Sequence, residues 1–420
     1  MLEPAWIAQT LGATWTKPVE RKFSHVSVDS REIKPGTLFV GVNTRTGHRQ
    51  AYTAVAAQAG ATGAIVEKLQ ETDLPQLVVP DSIAALQKLA KERRSQYKGQ
   101  VIALTGSSGK TSAKELMAHL LGPKAYKTDG NFNNHLGVSM TILEAPMEAN
   151  FWVLEAGIST LNEMDALAEI IQPDASFITM IGSAHLEFLK TRENIAREKG
   201  KLLHANRAGG TIVLHAKDVA YSTLQNLEAQ VKVLADEKEM TQLPTLPKNY
   251  RAELFELKEL AKGWQIAFGN EIYNLPLWTP GMARNAALAI CLARELGVEA
   301  DDLRKRLGEW KDLPLRGEWL RWTGGKARIY LDAYNSNPEA LADSLWRFQR
   351  MAAPTPRLYI VGTMAELGDE SDALHQASMQ EIPARAEDTF VLIGAKSELM
   401  ANALQKRGLK AQVAESLEKI

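Results

Sequence analysis

Cysteine is almost absent from this chain: its 420 residues include one, Cys291. A single thiol excludes an internal disulfide and a cysteine zinc site, and it fits a reducing compartment. An excess of one charge is lacking too. Lys and Arg total 49 against 50 Asp and Glu, a net charge of −1, which argues against a protein that grips DNA or RNA mainly by electrostatics. No apolar run approaches membrane-spanning length. Residues 1–11 lack the basic start and long apolar stretch of a signal peptide, so a cytoplasmic protein is expected. There is no strong internal repeat and no low-complexity tract. What is present is 45% apolar residues, enough for well-filled cores, in a chain too long for one core.

The most informative stretch runs from Val101 to Ser112. Val101-Ile102-Ala103-Leu104 reads as a buried strand. Gly106-Ser107-Ser108-Gly109 is a turn, and apolar positions 113, 116, 117, 120 and 121 follow at helical spacing until Gly122-Pro123 stops them. Strand, glycine turn and helix is the context of a phosphate-binding loop. Backbone N–H groups from Gly106 to Ser112 converge on an anion, Lys110 adds a point charge, and the Thr111 hydroxyl is offered to a Mg²⁺ bridging phosphates. The loop is the short form T-G-x-x-G-K-T, because Leu104 stands where the longer motif has its first Gly. The competing reading is an ordinary turn with a chance lysine, and the correct context on both sides disfavours it.

Residues 1–82 read as a small α/β unit. Ser30, Arg31 and His48 fall at strand or loop ends, where binding groups gather, though spacing alone fits solvated loop residues equally well. Residues 83–312 alternate strand and helix, which predicts a mostly parallel sheet with helices on both faces. Glu155 ends the apolar strand Phe151-Trp152-Val153-Leu154, the edge where open α/β sheets place ligands. Beside a phosphate loop, an acid there holds Mg²⁺ directly or through water. His185 follows a third strand, Phe177 to Ile181, and the structural and functional readings of it are even. A helix from Arg192 to Leu203 carries Arg197, Lys199 and Lys201, and spacing does not single out Lys199. Asn285 to Glu295 and Asp301 to Trp310 read as helices. Residues 313–420 form a third, Rossmann-like unit. One of its strands ends at Asp332-Ala333-Tyr334-Asn335-Ser336-Asn337-Pro338, and another runs into Gly362-Thr363-Met364-Ala365-Glu366-Leu367-Gly368. The unit ends on a helix. It lacks G-x-G-x-x-G, so no dinucleotide is assigned.

The phosphate loop, those two stretches and Gly130-Asn131-Phe132-Asn133-Asn134-His135-Leu136-Gly137 together resemble the Mur ligase family, over nearly the whole chain. They are most similar to its branch that adds D-alanyl-D-alanine to UDP-N-acetylmuramoyl-tripeptide. The resemblance implies three domains: one for the uridine nucleotide, one for ATP, and a third that closes over the site. It implies an ATP-dependent amide ligase working through an acyl phosphate, a monomer, in peptidoglycan synthesis. Asp29-Ser30-Arg31 and Thr46-Gly47-His48 match uridine-side motifs, and Asn131, Asn133 and Asn134 fall on the substrate side. Glu155 and His185 match metal-site residues. Lys199 matches a lysine carbamylated by CO₂. Asn285 matches an adenine contact and Arg316 an arginine reaching the ATP phosphates, while Asp332, Tyr334 and Asn335 match residues near the nucleotide. Lys110, Lys199, His185 and Arg316 are thus the expected catalytic set.

There are departures. Thr279 and Gly281 replace the Gly and His of the family's G-x-H-x-x-x-N. Leu331 replaces the first Asp of D-D-x-Y-N, and Thr363 the Asp of G-D-M-x-E-L-G. A terminal strand and a Lys-Gly-Ser loop are expected beyond what the 420 residues contain. A sister ligase adding another amino acid, or a nucleotide-binding homologue without turnover, are the alternative readings.

Overall fold

The computed structural model describes residues 1–44, 47–325, 327–352 and 355–416; of residues 44, 47 and 48 only the backbone is described. At the centre lies a seven-stranded sheet. Its strands in chain order are β1 (Gln100–Thr105), β2 (Ala125–Lys127), β3 (Phe151–Glu155), β4 (Ala175–Ile178), β5 (Thr211–His215), β6 (Gln230–Ala235) and β7 (Tyr250–Leu254). In space they run β7-β6-β5-β4-β1-β3-β2, and every neighbouring pair is parallel. The chain leaves β1 toward β3 and β2, then returns to the other side as β4. That reversal opens a crevice at the carboxyl ends of β1, β3 and β4, where an open α/β sheet receives ligands.

The apolar run in β1 alternates between two cores. Val101 and Ala103 face a core shared with the helices Ser82–Gln96, His135–Glu144 and Glu163–Ile171. Ile102 and Leu104 face a second core with the helices Lys110–Leu121 and Pro280–Glu295. A strand buried on both faces needs a continuous apolar run, which is what residues 101–104 supply. A buried cation secures the first layer. Arg94 donates to Ile171 O (2.9 Å) and Gln172 O (2.7 Å), where a helix C-terminus favours positive charge.

Residues 1–82 form a four-stranded parallel sheet, His25–Ser27, Thr37–Val40, Gly63–Val66 and Gln76–Val78. Leu38, Val40, Ile65 and Leu77 belong to the same core as the middle helices, so the core runs on across residue 82. The C-terminal residues carry a three-stranded parallel sheet, Leu358–Gly362, Thr389–Ile393 and Lys410–Ala414. Beside it stand an antiparallel pair, Glu318–Arg321 with Arg328–Leu331, and the helix Pro338–Met351.

The structure departs from the sequence reading in four places, the first being the strand expected over residues 177–181, which runs Ala175–Ile178. The helix expected from Asn285 starts five positions earlier, at Pro280, because Thr279 caps it by accepting from Met282 N (3.1 Å) and proline suits a first turn. Residues 256–275 form a separate antiparallel three-stranded sheet. The strand Lys410–Ala414 follows the last helix, where the sequence reading ended the unit.

Candidate active site

The phosphate loop is folded by two close approaches. A Cβ on Gly106 would stand 1.9 Å from Thr179 Oγ1, and that hydroxyl donates to Ser108 O (2.6 Å). Gly109 has φ +76°, and a Cβ there would lie 2.4 Å from Asn285 Nδ2. Only glycine fits at these two positions. Ser107 N donates to Met180 O (2.9 Å), and Ser107 Oγ accepts from Gly182 N (2.9 Å), which fastens the loop to the segment after β4. Lys110, the first residue of its helix, donates from Nζ to Gly106 O (3.0 Å). Burial pulls its pKa down, with Glu155 opposing and Arg316 adding to the shift.

Glu155 ends β3 fully buried. Its Oε1 accepts from Asn133 Nδ2 (2.7 Å) and Thr111 Oγ1 (3.4 Å), while Oε2 has no partner. Lys199 is buried in the helix Arg192–His204, and its Nζ is also unpartnered. Burial holds that amine far below the usual lysine range, and Lys110 adds to the shift. His185 sits at φ +66° just beyond β4, with Nδ1 on the Glu366 carboxylate from the C-terminal residues. Burial and Lys199 lower its pKa against Glu366.

A cavity of about 710 Å³ gathers the loop, Glu155 and His185. Ser107 to Ser112 line its floor, with Glu155, His185, Asn133 and Asn134 beside them. Trp278, Thr279, Arg284 and Asn285 make one wall, and Arg316, Asp332, Tyr334 and Asn335 face them from the C-terminal side. The Arg316 guanidinium stacks 3.9 Å from the Tyr334 ring centroid, and Nη2 donates to Thr111 Oγ1 (3.4 Å). Burial raises the Asp332 pKa, offset by a hydrogen bond from Ser344 and by Arg316.

The donor set suits a hard cation: one carboxylate oxygen without a partner and one hydroxyl beside it. Among the described residues no three His, Cys, Asp or Glu side chains form a metal cage of their own. Any Mg²⁺ here completes its shell with phosphate oxygens and water, its usual habit.

Some expected site residues stand elsewhere. Ser30 and Arg31 lie outside the cavity, and Arg31 pairs with Asp29 (2.5 Å), holding that carboxyl down at about 2. The His48 side chain and Thr46 lie outside the described residues. Asn131, Gly106 and Lys199 are not on the cavity wall. Asn133 is committed to Glu155. Asn134 caps the helix His135–Glu144, accepting from Leu136 N (3.1 Å) and Gly137 N (2.9 Å). Sequence reasoning missed Thr179, Glu339, Asp343 and Glu366. Of these only Glu366 carried a signal, inside the quoted 362–368 stretch.

Comparison with known proteins agrees with this geometry. Residues 104–293 match the Mur ligase middle domain, and residues 316–420 match the Mur ligase, glutamate ligase domain. A UDP-N-acetylmuramoyl-tripeptide--D-alanyl-D-alanine ligase of Escherichia coli (strain K12) is 30% identical, over 90% of this chain and 83% of its own length. A solved MurF of Acinetobacter baumannii superposes with a TM-score of 0.82 at 25% identity, covering 98% of this chain and 89% of that one. The MurF ligase of Thermotoga maritima, solved in complex with ADP, gives a TM-score of 0.74 at 25% identity, covering 96% and 91%. With the glycine loop, the buried acid and Arg316 in one crevice, and with these matches along its length, the chain belongs to the Mur ligase family.

Proposed function

We propose that this chain is an ATP-dependent amide ligase that adds D-alanyl-D-alanine to UDP-N-acetylmuramoyl-tripeptide through an acyl phosphate, in peptidoglycan precursor synthesis in the cytoplasm. One observation carries it. The phosphate loop, Glu155 with Thr111, and Arg316 with Tyr334 converge on a single cavity built from both the middle and C-terminal residues. We assign residues 1–82 to the uridine nucleotide, 83–312 to ATP and 313–420 to closure, in a monomer. Ser30, Arg31 and His48 then belong to the uridine end of the substrate, at a distance from the phosphate chemistry.

The loop N–H groups and Lys110 hold the β- and γ-phosphates of ATP. The terminal carboxylate of the tripeptide attacks the γ-phosphorus in line, the bond to ADP breaks, and an acyl phosphate forms. Arg316 brings a cation to the departing phosphates from the C-terminal side. The amine of D-alanyl-D-alanine then attacks the acyl carbon. A tetrahedral centre forms and collapses, phosphate leaves, and the new amide nitrogen gives up its proton. Walls contributed by two units keep water from the acyl phosphate. Glu155, Thr111 and His185 would hold a Mg²⁺, which would neutralise charge on the phosphoryl group. The unpartnered Lys199 amine supports a carbamate there: the neutral amine would add CO₂ and release a proton, and the carbamate would offer oxygen to a Mg²⁺.

The test is phosphate release by the purified chain with ATP, Mg²⁺ and UDP-N-acetylmuramoyl-tripeptide, with and without D-alanyl-D-alanine. Sustained release that needs both substrates, with a product heavier by the dipeptide, is expected. Release driven equally by another amino acid points to a sister ligase. Saturable nucleotide binding without release makes the chain a binding homologue.

A further inference from the structure

The helix Pro338–Met351 crosses from the C-terminal residues onto the rim of the crevice, and two of its acids, one turn apart, make matching contacts. Glu339 Oε1 accepts from Ser183 N (3.0 Å) and from Ser183 Oγ (2.7 Å). Asp343 Oδ1 accepts from Gly281 N (2.7 Å), and the Thr279 hydroxyl bonds the same carboxylate. Each acid therefore takes one backbone N–H with a hydroxyl beside it, and Glu339 Oε1 also accepts from Arg192 Nη2 (3.4 Å). The first contact lies just beyond β4. The second is at the first turn of the Pro280–Glu295 helix, whose free N–H groups and dipole favour an anion. Residues 339 and 343 share one face of their helix by spacing.

The same helix sets the groups that close the cavity. Its cap, Asn337, ends the loop that carries Asp332, Tyr334 and Asn335. Arg347, one turn past Asp343, donates to Gly317 O (3.1 Å) and to Asp312 Oδ2 (2.6 Å), which fixes the chain next to Arg316. Where the helix sits decides where Arg316 and Tyr334 sit.

Gly281 is the sensitive part. Its φ is not in the left-handed region, so its backbone accepts any residue, yet a Cβ there would lie 2.7 Å from Asp343 Oδ2. To make room the carboxylate has to swing Oδ2 away, which disturbs the bond that Oδ1 takes from Gly281 N. The glycine is needed for the contact and for nothing in its own backbone.

We propose that Glu339 and Asp343 form a two-point clasp that sets the closed position of the C-terminal unit, and that they are positioning residues for Arg316 and Tyr334. Residue 281 must be glycine for the second point to engage. This rests on the ligase reading of the cavity.

The test uses the full chain with Asp343→Ala, Asp343→Asn, Gly281→Ala and the double variant Gly281→Ala with Asp343→Ala. Losing a hydrogen bond to a charged group lowers kcat about tenfold in Asp343→Ala and in Gly281→Ala, with the KM for ATP within about twofold, because the phosphate loop is untouched. The double variant is no slower than either single one, since both remove the same contact. Asp343→Asn keeps an acceptor oxygen and recovers most of the rate. Gly281→Ala melts no lower than Asp343→Ala, because both lose the same contact and alanine adds no backbone strain in a helix. Effects that multiply in the double variant, an asparagine variant as slow as alanine, or a Gly281→Ala Tm well below that of Asp343→Ala would overturn the clasp. If the unmodified chain releases no phosphate, the ligase reading fails by itself. The clasp is then read from small-angle scattering: a larger radius of gyration in Asp343→Ala and Gly281→Ala supports it, and an unchanged one refutes it.

Discussion

A buried ammonium without an acceptor costs several kcal/mol, so a lysine so placed sheds its proton or acquires a partner. Lys199 is in that position, fully buried with Nζ unpartnered, in the same site as Lys110 and His185. If it carries a carbamate, Lys199→Ala removes an oxygen ligand, and kcat falls about 10²- to 10³-fold, the usual effect of deleting one transition-state contact. Millimolar acetate or formate should restore part of the rate, and full activity without rescue would reject the role. Asp218 is a different kind of buried residue. Burial pushes its carboxyl up to about 7, with Lys217 and the Ile181 N–H opposing, and Oδ2 has no partner. A raised carboxyl keeps its proton in the fold. The protonated form's full stability is present below the ordinary value of 3.8 and is lost as pH climbs toward about 7. Asp218→Asn therefore stabilises the chain by a few kcal/mol at pH 8 and by less at pH 5. Thermal melts at both pH values check this; a gap that narrows with rising pH would show the sign to be wrong.

The strand–turn–helix from Gln100 to Leu121 was readable residue by residue, because each of its constraints is local. Four apolar residues fill two cores, glycines stand where a Cβ would collide, and Gly122 (φ +87°) ends the helix. Gly109→Ala therefore carries two penalties, a left-handed backbone and contact with Asn285. It should cost about 1–3 kcal/mol in stability and raise the KM for ATP at least tenfold, measured by melting and by phosphate release. A wild-type KM would mean that the loop does not hold phosphate as described. Lys110→Ala should lose turnover altogether. Glu155 was legible for the same local reason, as a polar residue closing an apolar strand. The start of the Pro280–Glu295 helix was not, since Asn285 opens the apolar face while the cap lies a turn and a half earlier at Thr279. The strand Lys410–Ala414 was silent too. Its burial alternates weakly at a sheet edge, so its pairing with Thr389–Ile393 rests on the backbone.

Contacts between distant segments leave almost no trace in one sequence. Nothing in the spacing of Glu366 announces that its carboxylate meets His185, or that Glu339 and Asp343 reach Ser183 and Gly281. Arg316 is expected from resemblance alone, and the structure supplies its surroundings: the Tyr334 ring against it, Thr111 in reach and the charge of Glu155 acting on it. In the proposed mechanism Arg316 is where closure meets chemistry, and the geometry asks for arginine rather than any cation. A planar guanidinium stacks on the ring and still donates in its own plane, whereas an ammonium on a flexible stem does one or the other. Burial lowers the Arg316 pKa, but an arginine remains charged throughout the accessible range. Arg316→Lys therefore keeps the charge and loses the stacked fork. If Arg316 acts only once the C-terminal unit has closed on ATP, the variant lowers kcat about 10²-fold and moves the KM for ATP by no more than a few-fold, because the phosphate loop binds ATP without it. If it serves instead as a ground-state anchor, the KM rises and kcat holds. Steady-state phosphate release at varied ATP separates the two, and a variant with unchanged kcat would take Arg316 out of the chemical step.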